Sequence, residues 1–398
     1  MPTGFAMMVD RPLPAEPTKL PRFRCLDLLR GLAIAAMILV NNPGSWAQVY
    51  PPLLHAEWHG FTPTDLVFPL FLFVVGGAMA FSLGRVAEKA PLDRPQQRQI
   101  HRKLLQRVLI LFGLGLALNA STLLMRTWFE GAPLLWEKWR ILGVLQRIAL
   151  AYGASALLVL HCSRRAQAIA VAGLWLGYWA LLSTTPLTPD GSIVGWVDRT
   201  LLGASHLYQL TLNQQTVAFD PEGLLSTLPA IGSTLAGYWA VQWLKTQPIK
   251  ALTAWRLTGA GVGAIALGRL WDLALPLNKQ LWTSSYALYA AGWSIVLLAG
   301  CYALTEIRRA HGISRPFEIF GMNAITAFVG SGLVGRLLNR THIGSGPDAP
   351  STYQWLYQTL FASWAGPMSG SLLFAIAMVL LWWLAMYGFY RRGWFLKV

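Results

Sequence analysis

The sequence predicts an all-α polytopic membrane protein of about ten transmembrane helices plus one short interfacial helix, with both termini cytoplasmic. Three observations carry this reading. Of 398 residues, 55% are hydrophobic and only 12% are charged, and the mean hydropathy of +0.45 lies outside the range of soluble globular domains. Apolar runs of roughly 20 residues, the length that crosses about 30 Å of hydrocarbon, recur along the whole chain. Lys and Arg collect in alternate connecting segments, as expected where cytoplasmic loops retain positive charge.

The runs fall near 26–44, 62–84, 104–123, 140–161, 166–185, 222–244, 251–271, 280–304, 316–337 and 368–390. A further piece, 351–366, is too short and too polar to span, and reads as an interfacial or re-entrant helix. Basic residues mark the N-terminal tail (Arg11, Lys19, Arg22, Arg24) and the second loop (Arg85, Lys89, Arg94, Arg98, Arg102, Lys103). They recur at Arg164 and Arg165, Lys245 and Lys250, Arg308, Arg309 and Arg315, and finally Arg391, Arg392 and Lys397. About two-thirds of the cations fall on this side, and none lies between Asn42 and Phe61. The net charge of +15 therefore reports topology rather than a nucleic-acid partner. The first two dozen residues hold no apolar core long enough for a signal peptide, so a retained cytoplasmic N-terminus is expected. Cys25, Cys162 and Cys301 match neither a disulfide framework nor a metal spacing. The organisation expected is a tail over 1–25 and one transmembrane domain over 26–398, with outer loops near 43–61, 186–221 and 338–367.

Candidate chemistry concentrates between Asn41 and Gly76. His55, Glu57, His59 and Asp65 cluster where the chain passes from a Pro- and aromatic-rich loop into the second apolar run, and ionisable groups at such an edge are costly. A neutral imidazole near pH 7 suits the removal of a proton from a nucleophile. Asp65, three residues after Thr62, reads either as a helix-capping acid or, with Glu57 as the alternative, as the group orienting the imidazole. His55 and His59 have a metal-ligand spacing, yet no third ligand accompanies them, so no metal is expected. Asn41, just before the Pro43 that breaks the first span, either satisfies loosened backbone or polarises a carbonyl oxygen. Arg30, Arg107 and Arg147 lie within apolar runs. Snorkelling explains them; alternatively Arg30 and Arg107, with Arg24 and Lys103, hold phosphates of a cytosolic ligand. Arg147, nearer mid-membrane, needs a polar partner. Asn119, Gln280, Asn323, Asp220 and Glu222 are further polar groups available to a cavity.

Several stretches resemble the heparan-α-glucosaminide N-acetyltransferase family, including its bacterial NagX-type members. They are LDLLRGLAIAAMILVN (26–41), LLHAEWHGFTPTDLVFPLFLFVVG (53–76), RILGVLQRIALAY (140–152), DPEGLLSTLPAI (220–231), LNKQLWTSSYAL (277–288) and FGMNAI (320–325). The resemblance implies a bacterial inner-membrane enzyme that moves an acetyl group from cytosolic acetyl-CoA to the amine of a glucosamine-type sugar on the outer side. It makes His55 the active-site histidine and Asn41 the asparagine that closes the first-span motif. Glu57, Trp58, His59, Asp220, Glu222 and Asn278 lie in the matching stretches and are expected to contact the sugar. His59 departs from the asparagine often found there. The soluble domain of the animal enzymes has no counterpart, so a homodimer, if formed, lacks that domain's contacts. The competing reading is an amino-sugar permease without acetyl transfer, for which broken spans and intramembrane polar groups also serve.

Overall fold

The computed structural model describes residues 23–84, 86, 93–212, 214–346 and 348–395. Most of the expected N-terminal tail, together with Arg85, Lys89 and Lys397, lies outside the described residues.

Each of the ten expected apolar segments contains helix. They are α1 (Arg24–Asn41), α2 (Pro63–Ser82), α3 (Arg94–Glu130), α4 (Val144–His161), α5 (Arg164–Leu182), then, after a short α6 (Ile193–Leu202), α7 (Thr227–Leu244), α8 (Ala251–Trp271) and α9 (Ser284–Tyr302). The ninth segment is divided into α10 (His311–Met322) and α11 (Ala324–Arg340), and the last is α13 (Pro367–Arg391). Among the described residues, five helices (α2, α3, α4, α9 with its continuation to Ile307, and α13) are long and apolar enough to cross a membrane, or up to six spans if α10 and α11 together form one bent span. The 351–366 piece forms a short helix, α12 (Thr352–Tyr357), continued through a wider turn to Ala365.

Helix limits follow local chemistry. Asp93 caps α3 by accepting from the Gln96 amide at 2.8 Å, and Pro95 suits the second helical position. That start draws Arg94, Arg98, Arg102 and Lys103 onto the first turns of a 37-residue helix, where a loop was expected. Gly131, at φ 65°, ends it in the left-handed conformation that glycine adopts freely. α4 and α7 start later than the apolar runs suggest, at Val144 and Thr227, because Arg140, Asp220 and Glu222 are tied to each other outside the helices. At Asn323 the chain bends by 69°, and the amide donates to Trp394 O at 3.1 Å.

α2 is the most enclosed of the candidate spans, 78% buried over its apolar window, whereas α13 is only 22% buried. It packs along α7 and against α1 and α9. The outer helices show Leu109, Trp255 and Leu380 to their surroundings, as a surface facing lipid requires. The segment expected as an outer loop near 186–221 carries regular structure and forms a folded cap. It holds α6 and a hairpin of β1 (Gln209–Leu212) and β2 (Gln215–Ala218), with Gln209 opposite Ala218. Phe219 and Val194 form a small core with Tyr178, Leu182, Leu275 and Leu281.

The α2–α7 contact depends on missing side chains. A Cβ on Gly76 would stand 1.7 Å from Thr234 O, and one on Gly237 would stand 1.9 Å from Phe73 O. Small residues permit such close backbone approach between membrane helices. Gly76→Leu is expected to stop the pair from closing and to yield aggregated protein on size-exclusion chromatography in detergent. Gly113→Ala, with nothing within 4 Å of the new methyl, should elute as wild type.

Candidate active site

The first turn of α2 carries the organising group. Pro63 sets the first helical position after the N-cap Thr62, which places Asp65 at the third. Asp65 is 1% exposed. Its Oδ1 lies 2.6 Å from His55 Nδ1, and its Oδ2 accepts from the Thr62 amide at 2.9 Å and the Ala56 amide at 3.1 Å. The Thr62 hydroxyl in turn donates to Leu54 O at 2.7 Å, closing the loop on itself. Both readings of Asp65 thus hold at once: it caps the helix and orients the imidazole. With the carboxylate accepting, Nδ1 carries the proton and Nε2 is left as the base. Glu57, the alternative orienting acid, is exposed.

His55 lines a cavity of about 60 Å³ with Asn41, Thr64, Phe68, Glu222 and Lys279. Asn41 is the last residue of α1, and Asn42 turns back to Ile38 O at 2.8 Å where Pro43 halts the helix. Asn41, Met37 and Phe328 are shared with a larger cavity of about 520 Å³ beside α11, lined also by Trp46, Arg336, Asn339 and Gln354. Lys279 was not singled out from the sequence, although it stands in the stretch 277–288. A cation in a connecting loop has no local mark that separates it from a surface lysine.

Behind the cavity lies a charged network. Arg140 reaches Asp220 through two bonds, at 2.8 and 2.6 Å, and Glu222 at 2.6 Å. Burial opposes the Arg140 charge, but the two acids outweigh it and raise its pKa. Burial also favours neutral Glu222; Arg140 and then Lys279 reverse this and hold its carboxyl below the usual range. Burial lowers the pKa of Lys279, against the opposing pull of Glu222 and Asp65. Arg147, fully buried, finds part of the polar partnership it needs: its Nη2 donates to Gly223 O at 3.2 Å and to the Ser226 hydroxyl, and the Trp282 ring lies 4.9 Å from its guanidinium, while its Nε and Nη1 have no hydrogen-bond partner among the described residues.

The remaining expected contact residues divide. Trp58 donates to Leu187 O at 2.6 Å and meets Phe219 edge-on, so it fastens the loop to the cap. Asn278 accepts from the Leu281 amide at 2.8 Å and approaches His59 at 3.4 Å. Burial lowers the His59 pKa. Asp220 is wholly committed to the network, whereas Glu222 also reaches the cavity. Asn119 donates to Arg140 O and Leu142 O, both at 2.9 Å.

A third cavity, of about 310 Å³, lies further along α2 between Phe71 and Ala78 and brings Arg30 and Arg107 together. Arg30 pairs with Asp27 at 2.6 Å, and Arg107 sits 4.6 Å from the Tyr152 ring. Arg24 and Lys103 are exposed and do not line it. Among the described residues no group of three or more potential metal ligands occurs.

Fold and site define a helical membrane protein with a carboxylate-held imidazole at one end of its bundle. The chain belongs to the family described as heparan-alpha-glucosaminide N-acetyltransferase, catalytic, whose model matches residues 22–275. It is 29% identical over 363 residues to the human heparan-alpha-glucosaminide N-acetyltransferase, covering 78% of this chain and 52% of that protein. The mouse protein of the same name is 27% identical over 361 residues, covering 78% and 53%. The chain thus spans about half the length of the curated relatives it matches.

Asp198, on α6, fastens the cap to the network by accepting from the Leu224 amide at 2.9 Å, while its other oxygen finds no partner among the described residues. Burial pushes its pKa up to about 6. The folded state therefore holds this proton more tightly than the unfolded one. The resulting penalty develops as pH rises from about 4 to about 6 and is fully present above that. Asp198→Asn should raise the melting temperature at pH 7.5 by an amount reflecting on the order of 1–3 kcal/mol, with the gain vanishing near pH 4. Thermal unfolding followed at both pH values checks the sign.

Proposed function

We propose that this protein transfers the acetyl group of acetyl-CoA to the amine of a glucosamine-type sugar, with the donor entering from the cytoplasmic end and the acceptor from the other. The observation that carries the reading is His55, held by Asp65 and facing one small cavity with Asn41. The family match supports the reaction class.

In this reading the acceptor amine attacks the thioester carbonyl. His55 Nε2 takes the amine proton, and Asp65 stabilises the imidazolium. The Asn41 amide donates to the carbonyl oxygen as it gains charge. The C–N bond forms, the C–S bond breaks, and the imidazolium returns its proton to the departing thiolate. The larger cavity at Asn41 falls within the roughly 300–1,000 Å³ typical of small-molecule sites and suits the body of the sugar. The two cavities share Met37, Asn41 and Phe328, an arrangement that suits donor and acceptor bound side by side and so direct transfer rather than an acetylated histidine.

Ten spans with both termini cytoplasmic complete the proposal. Support comes from the bundle end opposite His55, where Lys245 bonds Ala80 O at 2.8 Å and His101 meets His161 at 2.9 Å. The cation-rich connections Arg164–Arg165 and Arg308–Arg309 accompany them in sequence. From Thr64 to Ala78, α2 rises about 21 Å, at about 1.5 Å per residue, linking the His55 cavity to the Arg30 and Arg107 cavity. An extended pantetheine arm suits that track, with its phosphates near the two arginines.

His55→Ala should elute normally yet transfer labelled acetyl at least about a hundredfold more slowly. Near-normal turnover would remove His55 from the mechanism. In sealed vesicles of known orientation, acetyl-CoA on the cytoplasmic side should acetylate glucosamine enclosed on the other. Arg107→Gln should weaken acetyl-CoA binding in titrations and reduce its salt sensitivity. Glucosamine uptake without acetylation would support the permease instead.

A further inference from the structure

We infer that Lys279 is a further catalytic residue, its ammonium donating to the acetyl carbonyl oxygen as that oxygen becomes an oxyanion. The inference rests on the acetyl-transfer reading above and adds to it a charged group that neither the family match nor the sequence motifs assign.

Three observations converge on it. Lys279 lines the same cavity as His55 and Asn41 but comes from a different connection, between α8 and α9. The backbone that presents it is rigid. The Asn278 amide donates to the Thr283 hydroxyl at 3.1 Å, the Trp282 amide donates to Lys279 O at 3.1 Å, and the Thr283 amide donates to Asn278 O at 3.1 Å. Trp282 is held at φ 52°, fully buried, with Phe68 and Tyr286 packed edge-on against it at 5.2 and 5.3 Å. Such a conformation is costly for a bulky residue and persists only where its surroundings enforce it. The neighbouring cations, by contrast, do not line this cavity: Arg140 is bound to Asp220 and Glu222, and Arg147 reaches Gly223 O and Ser226 through one nitrogen. The structure gives the Lys279 ammonium no hydrogen bond or ion pair within the described residues.

The chemistry needs such a group. Attack of a neutral amine on a thioester places a full negative charge on the carbonyl oxygen, and the Asn41 amide answers it with a neutral donor only. A charge-assisted hydrogen bond is roughly twice as strong. Fixed in advance in a confined cavity, it requires no reorganisation during the step. Glu222 keeps the local charge balanced while the site is empty. Because burial favours loss of the Lys279 proton, the rate should decline on the alkaline side as the ammonium is lost.

Purified protein in detergent, with acetyl-CoA and glucosamine, tests this through kcat, KM and acetyl-CoA binding across pH 6–10 for Lys279→Met and Lys279→Arg. The Met variant should lose about 10²–10³ in kcat with acetyl-CoA affinity unchanged. The Arg variant should keep more activity and lose the alkaline decline, because a guanidinium does not titrate there. A Met variant within about threefold of wild-type kcat, well under the loss expected of an oxyanion donor, would overturn the role. So would a loss confined to KM, or an Arg variant whose alkaline limb matches wild type. If the Met variant does not fold, the pH profile of the Arg variant decides alone. A wild-type protein that transfers no label overturns the acetyl-transfer reading itself, whereas an active wild type with a dead His55→Ala and a neutral Lys279→Met rejects only Lys279.

Discussion

At the first turn of α2, one carboxylate accepts the imidazole of His55 and the backbone amides of Ala56 and Thr62. Asp65 thereby starts the helix, folds the preceding loop over it and selects the imidazole tautomer. Tyr286, from α9, adds a bond from its hydroxyl to Asp65 O at 2.7 Å, which locks this turn to the opposite wall. A buried charge is tolerable only when its acceptor capacity is used, and here it is filled from several directions. The placement of every other group in the cavity is relative to that fixed point.

The cations and acids behind the cavity serve a second need. Arg140, Asp220 and Glu222 come from connections far apart in the chain, and Arg147 reaches Gly223 and Ser226 from α4. Removing charges from water costs several kcal/mol each, offset only where geometry and added hydrogen bonds are good. The bidentate Arg140–Asp220 contact meets that condition, with Glu222 sharing the same guanidinium. The network joins the connections that precede α4 and α7, and Val144 and Glu222 from these two regions line the cavity with Thr64 and Phe68 of α2. Its connections are irregular because their polar groups bond each other rather than extending the helices.

The close α2–α7 contact puts the two helices at near backbone distance through Gly76 and Gly237. With that contact made on one side, the other side of α2 is free to border both the His55 cavity and the Arg30–Arg107 cavity. One helix thus provides the carboxylate that holds His55 and a wall shared by the two spaces.

The helical membrane class, the ten helical segments and the clustering of His55 with candidate acids at the start of the second segment were legible in the chain itself. Apolarity over about 20 residues and an N-cap followed by an acid at the third position are local properties, and local properties survive in a linear string. Tertiary structure alone decided that Asp65 rather than Glu57 holds His55, that Trp58 fastens the cap, and that Lys279 shares the cavity. It also extended α3 across ten residues read as loop and broke the ninth segment at Asn323. These outcomes depend on which polar groups meet after the helices pack: His55 lies ten residues from Asp65, but Lys279 lies more than two hundred from either. A sequence shows that a polar group within hydrocarbon needs a partner; only packing determines which partner lies within reach.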